Sequence, residues 1–456
     1  MQNFLRIAFL ICNLVVFSGC VSGKFSMWGH FHGDLSNQGF QAVNSGFALS
    51  SSWISNSYRI TSSSPVISKD SQGREVVYIG TIDGMLVAIR SFDGSEKWKR
   101  QLGPADSETR IVSTASVSDQ GNIYVISTRK IGQRRAASTL HKVDDSGHAK
   151  WSFTFPDNGF TTGSPKVATV LNDTLIFVYV TVEVSGSFQG ELFVLRDDGY
   201  TAKVLDRKAL AVCSFDASDN DRRFFDFFEN TWNLISGFPV ALDDPDGALP
   251  DYFVDPTVAV VTDGEKSLVA VADNLCSLGV LGWDGVGLSV LWRQEHDFDK
   301  HSSVMISPNG LMVFGKQSGK VSAFDLDTGA KMWEHNAGNV VFATPAAFQD
   351  KYIFVVAKDS IQVISAMDGT LIHDNEVPRT LPLLGATHSS PAVTANRVYV
   401  STFEMLTLTH DLKTRGHDTN FHGNGLSSVV VGSDGSIYGI AVDGTLRKYA
   451  GMGKGI

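Results

Sequence analysis

The chain has 456 residues, 43% of them hydrophobic and 19% charged, which is long enough for a sizeable core and too apolar for a disordered polymer. Its 48 acidic and 38 basic residues leave a net charge of −10, which argues against general nucleic-acid binding, because phosphate needs a basic face. Glycine (43) far outnumbers proline (13), a composition suited to many short strands joined by tight turns. A basic run, RKIGQRR from Arg129 to Arg135, is too short to reverse the charge argument and reads as solvated loop.

The first twenty residues are a separate object. MQNFLRIAFLICNLVVFSGC carries one arginine, an apolar run from Ile7 to Phe17, then Ser18 and Gly19 before Cys20. That run is short for a membrane span and reads as an export signal over residues 1–19. Small residues directly before a cysteine resemble the lipobox of bacterial lipoproteins, with Phe17 in place of the usual leucine. The resemblance implies acylation of Cys20, a lipid anchor and, since Val21-Ser22 contains no aspartate, residence on the periplasmic side of the outer membrane. The alternative is an ordinary cleaved signal followed by an unrelated cysteine. Removal of Cys12 and acylation of Cys20 would leave Cys213 and Cys276, either as one disulfide or as two buried thiols.

Residues 20–456 read as a single domain. A lead-in and strand over 26–57 (MWGHFHGDLSNQG from Met27, FALSSSWISN around Trp53) precede a recurring unit that begins near Ile60. Each unit opens on Ser or Thr before a small apolar strand: SSSPVIS at Ser62, VSTASVS at Val112, TGSPKVA at Thr162, VDPTVAV at Val254, HSSVMIS at His301, ATPAAF at Ala343, SSPAVT at Ser389 and LSSVVVG at Leu426. A strand like VVYIGT follows, then a third such as GKVSAF, a glycine turn, and a fourth that often carries tryptophan. Four short strands repeated at this spacing predict the blades of a propeller, because one four-stranded sheet cannot bury both of its apolar faces alone. The expectation is an all-β, eight-bladed β-propeller of four-stranded antiparallel blades. Gly94 and Gly329 mark turns that need φ > 0, and Trp53, Trp98, Trp151, Trp292 and Trp333 are expected on outer strands, covering the grooves between blades. His373 occupies that place in the sixth unit, and the third unit has no equivalent.

One wide gap, about 209–250, separates the third and fourth units. It holds Phe224, Phe225, Phe227, Phe228 and Trp232 among aspartates, read either as a packed excursion or as a partner-docking element. The last unit stops after its third strand, so the strand around Trp53 is expected to complete it and lock the ring.

The segment AFDLDTGAKMW, Ala323 to Trp333, resembles the A-x-D-x-x-T-G-x-x-x-W repeat of PQQ-like, quinoprotein-type propellers, with weaker copies from about Trp28 to Ala450. That resemblance implies the fold and leaves activity open. Dehydrogenases of the family hold a quinone beside a disulfide of adjacent cysteines, with calcium; this chain has no adjacent cysteine pair and no C-x-x-C-H haem site. His410, His417 and His422, with His30 and His32, are the one concentration of metal-ligand types, and their spacing matches no established motif. No catalytic, cofactor or metal residue is assigned. The expected function is a non-catalytic, protein-binding scaffold lipoprotein of the cell envelope, similar to the propeller subunit of the outer-membrane β-barrel assembly machinery. Its expected partners are an envelope protein and, through the acyl chain, the membrane, with no nucleic acid. The alternative is a ligand-binding, degenerate quinoprotein that uses its central channel.

Overall fold

The computed structural model describes residues 26–46, 49–60, 62–105, 108–131, 136–184, 187–210, 257–273, 277–295, 302–374, 377–383, 389–413, 415–423 and 426–451. The fold is all-β: eight antiparallel sheets arranged as the blades of a propeller. Among the described residues no helix is long and apolar enough to cross a membrane.

Burial grades outward along each blade. The second strands are apolar without alternation because neighbouring blades cover both of their faces: Glu75–Gly80 and Tyr352–Ala357 are buried after their first residues. Outer strands alternate, and in Ala149–Thr154 (AKWSFT) and Lys331–Asn336 (KMWEHN) the tryptophan is the one buried residue. The cores lie between blades rather than within them. Ile126 and Leu140 of blade two pack with Val178 and Phe193 of blade three, and Val313 and Val321 of blade five with Val355 and Ile364 of blade six. Each sheet thus depends on its neighbours for burial, the expected behaviour of a closed repeat.

The ring closes with both ends of the polypeptide. Strand Ser51–Ser57 pairs antiparallel with Thr445–Tyr449, placing Ser51 opposite Tyr449 and Trp53 opposite Lys448, and supplies the outer strand of blade eight. Three blades have five strands: the lead-in adds Ser26–Trp28 to the inner edge of blade one and Phe40–Gln41, parallel, to that of blade seven, and in blade two the inner edge is divided into Thr109–Arg110 and Ser116–Val117, both paired with Ile123–Lys130.

The strand order separates two faces. Connections between blades, and between second and third strands, lie on one (the loop face); the tight turns between first and second and between third and fourth strands lie on the other (the turn face).

Blade six departs from the sequence expectation. His373 does not cover a groove; it is exposed and opens a small hairpin, His373–Asp374 against Val377–Pro378, and the outer strand resumes at Thr380–Pro382. Blade three's outer strand runs through Ala209, so the expected start of the insertion is still strand. Cys20, Cys213, Phe224, Phe225, Phe227, Phe228, Trp232 and Cys276 lie outside the described residues.

Candidate functional site

The axis is where a propeller with this repeat would hold a ligand, and two tiers of hydrogen bonds surround it here. The first explains the Ser/Thr that opens every unit. The backbone N–H of Ser64 donates to Thr114 Oγ1, Thr114 to Ser164 Oγ, Ser164 to Thr257 Oγ1 and Thr257 to Ser303 Oγ, each at 2.9–3.0 Å. Beyond Ser303, Thr344 donates to Ser390 Oγ, Ser390 to Ser428 Oγ, and Ser428 back to Ser64 Oγ, at 2.9–3.2 Å. A hydroxyl is required because it accepts from the preceding blade without adding bulk at the crowded centre. The residue before it often turns into its own blade: Ser63 Oγ accepts from Gly80 N–H and Ser302 Oγ from Gly315 N–H.

The second tier lies three residues further along the inner strands, where axis-facing N–H groups would otherwise lack acceptors. Carbonyls of the lead-in meet them in sequence. Gly29 O accepts from Val117, Leu35 O from Val260, Ser36 O from Ile306, Gln38 O from Ala347 and Gly39 O from Val393, at 2.7–2.9 Å, serving blades two and four to seven. In blade three a side chain substitutes: Lys166 Nζ donates to the carbonyls of Phe31 (3.0 Å) and Asp34 (2.5 Å). His32 reaches the opposite wall, with Nε2 2.8 Å from the Pro391 carbonyl of blade seven and Nδ1 2.7 Å from that of Asn37. Asn37 Nδ2 donates to Val304 O at 2.6 Å and Val258 O at 3.2 Å. Residues 28–41 therefore bridge the full width of the channel as a plug of the chain's own backbone.

The plug is built for low dielectric. Burial pushes His32 down to about 4, with the nearby Lys166 charge adding to the effect, and holds His30 well below its usual value for the same two reasons. Lys166 itself is pushed down to about 7 by burial, opposed by Asp34, whose carboxyl is raised by its own burial. An uncharged amine still has two N–H groups for the two carbonyls it meets.

Sequence reading missed Lys166 and Ser116, although a signal was present. Two residues after each ring hydroxyl the units carry Val66, Ser116, Lys166, Ala259, Met305, Ala346, Ala392 and Val430. The two polar exceptions make side-chain hydrogen-bond contacts with the plug, Ser116 Oγ lying 3.0 Å from His30 Nδ1.

At the rim, the tryptophans bind the next blade's turn. Trp53 Nε1 donates to Ser91 O, Trp98 to Asp145 O and Trp292 to Leu326 O, at 2.8–2.9 Å; Trp151 donates to the Asp197 carboxylate at 3.0 Å. All of these indoles except Trp151 lie against a glycine of that turn. A Cβ on Gly94 would fall 2.5 Å from the Trp53 ring, and one on Gly329 2.6 Å from Trp292, both at positive φ. Trp333 sits over Gly369 in the same way, with no partner for its Nε1 among the described residues. In blade three the register places Asp206 where a tryptophan stands elsewhere, and its carboxylate accepts the Leu288 N–H of blade four at 2.7 Å.

The histidines do not gather. His410 lies against Phe348 (centroids 4.1 Å apart) and contacts Thr394 O, His417 contacts Glu404 at 2.6 Å, and His30 and His32 are in the plug. Among the described residues no three His, Cys, Asp or Glu side chains are grouped to hold a metal. A quinone in the channel does not fit these residues at the level the plug occupies.

Residues 288–445 match the family model described as outer membrane protein assembly factor BamB. Lupanine 17-hydroxylase (cytochrome c) of a Pseudomonas species is 27% identical over 81 residues, 17% of this chain and 12% of that protein, so the matched part is a small share of that relative. Among solved structures, a europium-containing methanol dehydrogenase superposes with a TM-score of 0.60 at 11% identity, covering 91% of this chain and 89% of that one. Quinohemoprotein alcohol dehydrogenase ADHIIG from Pseudomonas putida HK5 gives 0.59 at 11%, covering 94% and 81%. At that identity the likeness is one of fold. The chain is thus an eight-bladed β-propeller of the architecture those dehydrogenases share, similar over residues 288–445 to the BamB family model.

Proposed function

We propose that this protein is a non-catalytic, protein-binding scaffold of the bacterial cell envelope. Cys20 anchors it by lipid on the periplasmic side of the outer membrane, where it serves outer-membrane protein assembly. The observation that carries this reading is the plugged axis: the place where a quinoprotein-type ligand would sit is filled by residues 28–41, hydrogen-bonded to the inner strands. A disc stiffened at axis and rim presents its loops with little entropy left to lose on docking. The BamB match over residues 288–445 supports the envelope setting. Partner contact is assigned to the aromatic cluster Phe224, Phe225, Phe228 and Trp232.

Affinity capture from detergent-solubilised envelope, with and without residues 213–250, tests the reading. Recovery of a defined envelope protein that depends on those residues is expected; equal recovery by the deletion variant removes the cluster from the interface, and no recovery removes the scaffold role. The quinoprotein alternative predicts a rise in melting temperature when quinone and calcium are added. The plugged channel predicts none.

A further inference from the structure

We infer that the turn face is the surface this protein lays against a membrane, with Phe92, Tyr200, Val286 and Met367 dipping into the headgroup layer of a charge-neutral bilayer. This rests on the lipid-anchor reading of Cys20 and extends it to an orientation.

Two independent observations meet on that face. The first is exposure: Tyr200 is 91% exposed, Val286 86%, Met367 77% and Phe92 68%, the highest among the described large apolar side chains. All four lie at tips of turns between third and fourth strands, in blades three, four, six and one. Turn chemistry does not ask for them. Blade five has Asp327 at the position where blades one and six have Phe92 and Met367, and each turn already draws its φ > 0 from a neighbouring glycine. Apolar tips spread around a disc provide no single pocket for a protein partner, yet all four lie on the same face, as a flat lipid surface requires.

The second observation is the path of the N-terminus. Ser26–Trp28 pairs antiparallel with Val66–Lys69, Ser26 opposite Ser68 and Trp28 opposite Ile67. The inner strand runs from loop face to turn face, so the lead-in enters the channel from the turn face. Five residues, hence six Cα–Cα steps, separate Cys20 from Ser26, a reach of about 20 Å at full extension. An acyl chain on Cys20 therefore holds the turn face, rather than the loop face, toward the bilayer.

The lipid class follows from the neighbours of the tips. Asp93, Asp198, Asp284 and Asp368 stand within two residues of them, and each accepts turn N–H groups, which hold these carboxyls below the usual range. Anionic headgroups would be repelled, so zwitterionic lipid is the fitting surface.

The experiment is hydrogen–deuterium exchange on the mature full chain in phosphatidylcholine vesicles, after mass spectrometry of its N-terminal peptide for the acyl group. Exchange at residues 198–201, 284–287 and 366–369 should slow several-fold relative to the Val286→Asp/Met367→Asp variant, while 81–84 and 402–404 on the loop face stay unchanged. Doping with phosphatidylglycerol should reduce the protection. An acylated chain that protects the loop face or neither face, or whose turn-face protection grows with anionic lipid, overturns the inference and leaves the anchor standing. A chain without the acyl mass overturns both.

Discussion

Axis and rim are both built once per blade, and they have worn differently. At the axis the links involve backbone N–H groups and either a small hydroxyl or a backbone carbonyl, and they persist in blades whose sequences have drifted far from the repeat. At the rim four junctions, those of blades one, four, five and eight, set one indole over one glycine. Blade two's Trp151 bonds the Asp197 carboxylate instead, blade three has Asp206, blade six a small hairpin, and the outer strand of blade seven, Arg415–Asp418, has no tryptophan. A contact that needs only a peptide group survives almost any substitution, whereas one that needs an indole is lost with it. The ring is therefore held in most blades by the same backbone links at its centre and by varied contacts at its edge.

The sharpest way to break the comparison is to remove a rim tryptophan that is buried. Trp333→Ala should cost about 3–5 kcal/mol in urea unfolding, the range for emptying a large aromatic site. A cost under 1 kcal/mol would mean the rim contributes little and the axis alone holds the ring. Next comes Gly329→Ala, where the new methyl meets the Trp292 ring at a backbone angle that alanine resists; about 2–3 kcal/mol is expected. The Nε1 bond from Trp292 to Leu326 O should be lost with it, visible as a shift in indole N–H resonance.

At the axis, Lys166 provides a pH signature the rim lacks. Its folded value of about 7 lies below the ordinary 10.5, so between those values the unfolded chain binds more protons than the folded one. Stability should rise with pH across that window, by at most about 1.4 kcal/mol per unit. Lys166→Met should flatten the rise; a wild-type melting temperature that is level or falls from pH 7.5 to 9.5 contradicts the placement of the amine. His30 and His32 act at the other end. Their lowered values mean that stability present above pH 6.5 is lost as pH falls below it, for His32 down to about 4.

The sequence made the blade count, the closing strand and the tryptophans on outer strands readable, because all three rest on residue type at a fixed spacing. The plug was not readable. Its contacts are made by carbonyls of Gly29, Leu35, Ser36, Gln38 and Gly39, and a carbonyl is the same in every residue. Asp206 was hidden for another reason: the outer strand carries a bulge between Val194 and Leu195 pairing, which sets which residue meets the groove, and a bulge leaves no mark in the hydrophobic pattern. Lys166 was visible as an oddity among small and apolar counterparts and went unused, because a lone lysine gives no hint of what it faces until the chain path is known.

The smallest expected effect is the one that asks whether blade three lost its rim contact or replaced it. Asp206 Oδ2 accepts from Leu288 N–H while Oδ1 accepts from Arg207 N–H, so the carboxylate ties the outer strand of blade three to the start of the outer strand in blade four. Asp206→Asn keeps one acceptor oxygen and should cost under about 1 kcal/mol, whereas Asp206→Ala strands the Leu288 N–H and should cost about 1–2 kcal/mol. Amide exchange at Leu288 separates the cases: it should quicken in the alanine variant and stay close to wild type in the asparagine variant. If both variants match wild type, the carboxylate is no substitute for the indole, and the junction between blades three and four is held by its other contacts: the Ser164–Thr257 link, the Leu171 N–H on Gly264 O, the Tyr179 hydroxyl on Asp273 and the apolar core where Leu288 packs with Leu281 and Val194.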